Sequence, residues 1–236
     1  MIPKIIHYCW FGKRDLPKSA IKCMESWSRF LPGCEIKRWD ESNYDFRKRN
    51  YTLEAYEMGK YAFVSDVARL DVVYNEGGIY LDTDVELIKD ITPLLHYSAY
   101  MGFQGKSRDG KCYVNTGIGF GSEAGNPIIK EMIEDYDKVN FIKRDGSLDM
   151  LSCPVRNSKV LEKHGLIYNG LKQQLEGIVI MEPSVLCPMD EITGRLVINE
   201  SKTLSIHYFD ATWLSKKKRV KRCIRRLIGP DLLRFY

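Results

Sequence analysis

The chain contains no run of about 18 apolar residues, so no segment of it is long and apolar enough to cross a membrane as a helix. It opens on Met1-Ile-Pro-Lys, with no extended apolar stretch or small-residue cleavage site, and this argues against a secretory leader. Cys-x-x-Cys pairs are missing as well. The seven cysteines (9, 23, 34, 112, 153, 187 and 223) are odd in number and scattered, which excludes a zinc ribbon and gives no sign of a disulfide framework. Such a pattern fits free thiols in a reducing compartment, and a cytoplasmic location is expected. There is no internal repeat, and only the C-terminal tail is compositionally biased.

The remaining composition is that of a soluble globular protein, with 44% hydrophobic and 28% charged residues. At 236 residues the chain can bury a large core, enough for one α/β domain with a short appendage. Its 14 Tyr and 4 Trp suit an aromatic core and a surface for flat ligands equally well. Charge is unevenly spread. Residues 215–236 hold nine Lys/Arg and one Asp, a local +8 within a whole-chain +5, which leaves −3 on residues 1–214. We therefore expect a catalytic domain over 1–214 and a separate tail over 215–236.

Ile5-Ile6-His7-Tyr8-Cys9-Trp10 reads as a first buried strand. Leu16-Pro17 opens a helix in which Ile21, Met24 and Trp27 recur at helical spacing. Glu35 to Trp39 is a short second strand, so the chain starts as a parallel βαβ unit. A second helical region runs from about Glu54 to Asn75, weakened at Gly59 and stopped by Gly77-Gly78. Ile79-Tyr80-Leu81 then leads into Asp82-Thr83-Asp84, two carboxylates at the end of a buried strand, where open α/β sheets place their ligands. Further strands are expected at Ala99–Phe103, Gly117–Gly121, Val179–Met181 and Leu204–Phe209, with a helix from Asn126-Pro127 to Tyr136. The two carboxylates of Asp82-x-Asp84 can converge on one hard cation, Mg²⁺ or Mn²⁺, shared with substrate phosphates. Asp66 and Arg69, three apart, share a helix face among apolar neighbours, so they are either an ordinary ion pair or part of the site.

Ser65-Asp66-Val-Ala-Arg69 followed by Tyr74-Asn-Glu-Gly77-Gly78-Ile-Tyr80-Leu-Asp82-Thr-Asp84 resembles the signature of glycosyltransferase family 32. That family includes bacterial capsular polysaccharide and lipopolysaccharide sugar transferases and fungal mannosyltransferases, and it is similar to the catalytic core of the large clostridial glucosylating toxins. Pro3 to Gly12, Trp39-Asp40 and His207-Tyr-Phe-Asp-Ala-Thr212-Trp213 extend the likeness, with Thr212 and Tyr208 standing where Ser and His are common.

The resemblance implies a GT-A fold, a Rossmann-like mixed sheet flanked by helices that binds a nucleotide-diphosphate sugar. It implies a nucleobase pocket at Cys9 and Trp10, Ser65 and Tyr80 beside the donor, and donor-sugar contacts from Asp66, Arg69 and Asp82. Asp84 would be the direct metal ligand, joined by Asp82 and His207, with Trp213 closing over the diphosphate. Retention of anomeric configuration is implied too, through front-face attack by the acceptor hydroxyl. Two alternatives stay open at this level: His207 as a hydrogen-bonded strand histidine, and a phosphatase of the HAD type with Asp82 as nucleophile.

In the tail, Val220, Ile224, Leu227 and Ile228 recur at helical spacing among cations, a basic amphipathic pattern that suits an anionic membrane surface through residues 215–228. The expected partners are thus a nucleotide-sugar donor, a glycan or lipid-linked glycan acceptor and the inner face of the cell membrane. Nucleic acid is not among them, because the tail lacks interleaved aromatics. A non-catalytic lipid- or nucleic-acid-binding module built on that tail is the other rival reading.

Overall fold

A computed structural model describes residues 1–210; Trp213 and the basic tail lie outside the described residues. The chain begins with strand β1 (Ile5–Cys9), helix α1 (Lys18–Phe30) and strand β2 (Glu35–Trp39), and β1 and β2 pair in parallel as expected. The buried face of α1 carries Ala20, Cys23, Ser26 and Trp27, while Ile21 is exposed. The apolar stripe is therefore rotated by a residue from the expected Ile21–Met24–Trp27 line. Burying a side chain the size of Trp27 is worth roughly 2–3 kcal/mol, more than Ile21 gains at the surface. Trp27 also donates its indole N–H to the Val85 carbonyl at 2.8 Å.

The helical region expected over Glu54–Asn75 is two helices, α2 (Asn50–Glu57) and α3 (Tyr61–Glu76), separated at Gly59 in left-handed backbone (φ +65°). Gly77 (φ +67°) ends α3 by returning its N–H to the Val73 carbonyl at 2.9 Å. Gly78 (φ +104°) starts β3 (Gly78–Tyr80), and a Cβ there would sit 2.8 Å from the Ile5 carbonyl oxygen and 2.9 Å from His7 Nε2. The glycine pair lets helix turn into strand without a gap.

Strand β4 (Val85–Leu87) follows, then β5 (Ala99–Lys106), β6 (Cys112–Val114) and β7 (Phe120–Ser122). The strand expected over Gly117–Gly121 is shorter and shifted, because residues 115–119 form an irregular turn beside the site. Helix α4 (Pro127–Asp137) is capped by Asn126, whose side chain accepts the N–H groups of Ile128 and Ile129. Helix α5 (Cys153–Glu162), strands β8 (Gln173–Leu175) and β9 (Ile178–Met181), the short helix α6 (Pro183–Leu186) and β10 (Ser205–His207) complete the described chain.

The main sheet is mixed, in the order β2-β1-β3-β7-β5-β9-β8 with β6 beside β5, and β10 pairs with β4 in a separate antiparallel ribbon. Alternation along the strands divides the core into two layers. Ile79, Tyr100 and Val179 face the layer of α1, whereas Tyr80, Met101 and Ile180 face that of α2 to α5. The parallel strands β1 and β3 end side by side, and the Asp82-Thr83-Asp84 turn leaves from that edge.

Candidate active site

Four segments bring side chains to the carboxyl end of β3. Helix α3 supplies Asp66 and Arg69, β3 and its following turn supply Tyr80, Asp82 and Asp84, β10 supplies His207, and the turn before β7 supplies Gly117. Arg69 is nearly buried, and its Nη2 bridges Asp66 Oδ1 at 3.1 Å and Asp82 Oδ1 at 3.2 Å. Its Nε donates to the Ser65 carbonyl at 3.2 Å, and the guanidinium lies over the Tyr80 ring at 4.9 Å. The Tyr80 hydroxyl donates to the same Asp82 Oδ1 at 2.8 Å. The expected pair on one helix face is therefore a buried network. Arg suits it because a planar fork reaches two carboxylates and stacks on an aromatic face, which Lys does not.

Asp84 is held on the other side. Its Oδ1 lies 3.2 Å from His207 Nε2, its Oδ2 accepts the Asp210 N–H at 2.8 Å, and its backbone carbonyl accepts the Tyr208 N–H at 3.0 Å. The chain reaches Asp210 through Phe209, which adopts left-handed backbone (φ +52°) and packs its ring, tilted by 57°, against that of His207 with centroids 4.1 Å apart. One non-glycine residue at positive φ thus aims a backbone donor at the second carboxylate.

Electrostatics separate the carboxylates. Burial drives Asp66 up to about 6 against the opposing pull of Arg69. Burial likewise raises Asp82, with Arg69 opposing and Asp84 reinforcing. Burial also pushes Asp84 upward, but the His207 cation and its hydrogen bonds outweigh that and hold it below the usual carboxylate range. Burial disfavours charge on His207, yet Asp84 prevails and keeps it protonated well above the usual histidine range.

Asp82, Asp84 and His207 each offer one ligand atom, and these atoms all lie within 4.8 Å of one another. Two carboxylate oxygens and one imidazole nitrogen suit Mn²⁺, with Mg²⁺ the poorer fit because it prefers an all-oxygen shell. The residues present therefore fit a divalent ion. His207 must give up its proton to ligate, so ion binding here displaces a proton.

The other expected residues fall nearby with different exposure. Cys9 is buried in the core, and burial pushes its thiol up to about 12. Its side chain thus lies beneath the site floor. Trp10 is half-buried and donates its indole N–H to the Arg14 carbonyl at 2.6 Å. It stands near a cleft of about 520 Å³ lined by Lys13 and Arg14 after β1, Arg38 on β2 and Asp40 just after it. The Ser65 hydroxyl donates to the Tyr61 carbonyl within α3. Gly117, expected as the first residue of a strand, lies in the turn before β7 and packs against the site itself. A Cβ there would collide with Asp82 Oδ2 and come within 2.9 Å of Arg69 Nη1. Cys153 and Asn157 on α5 were not anticipated, since that helix carries few apolar residues to mark it. No helix among the described residues is long and apolar enough to cross a membrane.

Residues 17–101 match a family model described as "Glycosyltransferase sugar-binding region containing DXD motif". Inositol phosphoceramide mannosyltransferase 3 of Schizosaccharomyces pombe (strain 972 / ATCC 24843) is 31% identical over 144 residues, covering 59% of this chain and 38% of that protein. Mannosyl phosphorylinositol ceramide synthase SUR1 of Saccharomyces cerevisiae (strain ATCC 204508 / S288c) is 30% identical over 105 residues, covering 43% of this chain and 27% of that protein. The chain thus spans well under half the length of these curated relatives. The solved PaToxG glycosyltransferase aligns with a TM-score of 0.53 at 20% identity, covering 69% of each chain. The fold is of the GT-A type, as the sequence led us to expect.

Proposed function

Because residues 17–101 match the model of a glycosyltransferase sugar-binding region containing a DXD motif, we propose that the protein moves a hexose or N-acetylhexosamine from a nucleotide-diphosphate sugar, UDP-linked in the first instance, to a surface-glycan acceptor. The observation that carries this reading is the convergence of Asp82, Asp84 and His207 beside the buried Asp66–Arg69–Tyr80 network. Asp84 and His207, joined by Asp82, would hold Mn²⁺ or Mg²⁺. That ion supplies a Lewis acid for the charge that builds on a departing nucleoside diphosphate. Asp66 and Arg69 bind donor-sugar hydroxyls, and Asp82 orients ribose and sugar from its fixed position under Tyr80. Trp10 stacks on the base, and Ser65 and the backbone around Cys9 border the same pocket. By the family resemblance, Trp213 with His207 would close over the diphosphate.

We read the reaction as retaining. That reading follows the family resemblance, with front-face attack by the acceptor hydroxyl, and the bonding of Asp66 and Asp82 to Arg69 and Tyr80 supports it over a covalent intermediate on either carboxylate. The same bonding disfavours Asp82 as a phosphatase nucleophile, because its Oδ1 already accepts two hydrogen bonds. The basic tail would hold the enzyme against the anionic inner face of the cell membrane, where a lipid-linked acceptor resides, with capsular polysaccharide or lipopolysaccharide as the product class.

The test is purified protein with Mn²⁺ and a panel of UDP- and GDP-sugars. GDP-mannose is included because two relatives are named as mannosyl-transferring enzymes. Donor hydrolysis or transfer that disappears in Asp84→Ala supports the reading. Absence of both with every donor refutes it, and phosphate release from simple esters instead would favour the phosphatase.

A further inference from the structure

Behind the Asp66–Arg69 pair lies a second buried polar group that the proposed reaction does not use. Helix α5 starts at Cys153, and Asn157 follows four residues later on the same face. Asn157 Nδ2 donates to Thr116 Oγ1 at 3.1 Å and to Cys153 Sγ at 3.3 Å, and the Thr116 hydroxyl lies 3.1 Å from the same sulfur. Arg69 Nη1 points at Cys153 Sγ from the other side at 3.8 Å, and burial together with the neighbouring Asp66 carboxylate raises the thiol pKa. All of these side chains are buried apart from the edge of Asp66.

The hydrogen-bond directions are consistent. The Asn157 amide nitrogen can only donate, so Thr116 accepts from it and keeps its own hydrogen for the sulfur. The sulfur then accepts from Thr116 and Asn157 and is faced by Arg69 Nη1. Linked bonds of this kind polarise and order one another in a dry interior. Thr116 also precedes Gly117, whose missing side chain admits Asp82 and Arg69. The support therefore reaches the site from α5 and from the turn before β7.

Packing alone does not account for this arrangement. Asn157 Oδ1 is buried without a partner. An unpaired buried acceptor is costly, and a hydrocarbon side chain of similar size would be neutral or better if the position served only the core.

We propose that Cys153, Thr116 and Asn157 are positioning residues that fix the Asp66–Arg69 pair in the orientation needed to grip the donor sugar. They act through that pair and do not touch the donor themselves. The proposal rests on the glycosyltransferase reading above. It makes a selective demand: disturbing the support must weaken recognition of the sugar and leave recognition of the nucleoside diphosphate alone.

The experiment compares Cys153→Ala, Cys153→Ser and Thr116→Val with wild type, measuring kcat and KM on UDP-glucose and GDP-mannose, affinity for UDP and GDP, and Tm. Cys153→Ala and Thr116→Val are expected to lower kcat about tenfold, the scale of one lost hydrogen bond to a charged group. Nucleoside diphosphate affinity should stay within about twofold of wild type, and Cys153→Ser should recover part of the loss because it keeps a donor and an acceptor. Unchanged turnover in both variants overturns the proposal, as does equal weakening of sugar-bearing and sugar-free nucleotides with a fallen Tm. If Cys153→Ala does not fold, the near-isosteric Thr116→Val decides alone. A wild type inactive on every donor overturns the glycosyltransferase premise, and this proposal with it.

Discussion

His7 and His207 are both buried strand histidines, one beside the amino end of β3 and the other beyond its carboxyl end, and their partners differ in kind. His7 on β1 donates from Nε2 to the Gly77 carbonyl at 2.8 Å and accepts the Trp39 indole N–H on Nδ1 at 3.1 Å. Both partners are neutral, and burial holds its pKa below the usual histidine range. His207 on β10 faces a carboxylate that can also face an ion, and that carboxylate raises its pKa well above the usual range. The same side chain is a neutral splice in one place, tying β1 and β2 to the end of α3. In the other it is one arm of a charged, exchangeable contact. A histidine's role here follows from what its second atom of contact can become, and burial by itself does not decide it.

That contrast makes separable predictions. Asp84→Ala removes one of the carboxylates that would hold the ion and the partner of His207, and donor turnover should fall by about 10²–10³-fold, the scale of losing a preorganised charge contact. Circular dichroism should show a fold that survives. Arg69→Lys keeps the charge but loses the fork and the stack on Tyr80, and about a 10²-fold loss in kcat/KM is expected. Recovery to within twofold would show that charge alone suffices.

His7→Gln strikes the neutral site and should move stability first. It leaves the Gly77 carbonyl or the Trp39 N–H badly paired, at about 1–3 kcal/mol, which is about 2–4 °C of Tm per kcal/mol for a chain of this size. Turnover per folded molecule should hold. Gly117→Ala should do the reverse: its backbone is not in the left-handed region, so the methyl displaces Asp82 with little cost to folding. A loss of about tenfold in turnover at nearly unchanged Tm is expected.

The smallest effect is in pH. His7 sits below its unfolded value of 6.5, so its contribution to stability is present above that pH and is lost as pH falls through its lowered value. The raised pKa of His207 gives the opposite sign, with stability present below 6.5 and lost as pH rises through its folded value. In metal-free protein over about pH 5 to 9, His7→Gln should flatten the acid side of the Tm profile and His207→Gln the alkaline side. Identical flattening by both variants would erase the contrast.

How legible the molecule was in its sequence differed between the same two regions. The apolar run Ile5–Cys9, the glycine pair after α3 and the Asn126 cap carry local signals, and the structure places a strand, a helix stop and a helix start there. The Gly59 break was visible only as a weakness, since a left-handed residue can end a helix or merely bend it. Helix α5 escaped notice because Cys-Pro-Val-Arg-Asn-Ser-Lys-Val-Leu-Glu has few apolar positions to mark a period; Arg156 and Asn157 are buried by polar partners. Asp82 and Asp84 could be singled out as candidates, but their separate neighbours, Arg69 and Tyr80 for one and His207 and Asp210 for the other, meet only in the folded chain. Family resemblance, and no local pattern, linked Asp84 to His207.

The most direct test measures donor turnover in Mn²⁺ and again after chelation, for wild type, Asp84→Ala and His7→Gln in parallel. The account predicts metal-dependent turnover in wild type, its loss in Asp84→Ala, and its survival, with lowered Tm, in His7→Gln. Turnover that is equal with and without chelator, or that persists in Asp84→Ala, would contradict it.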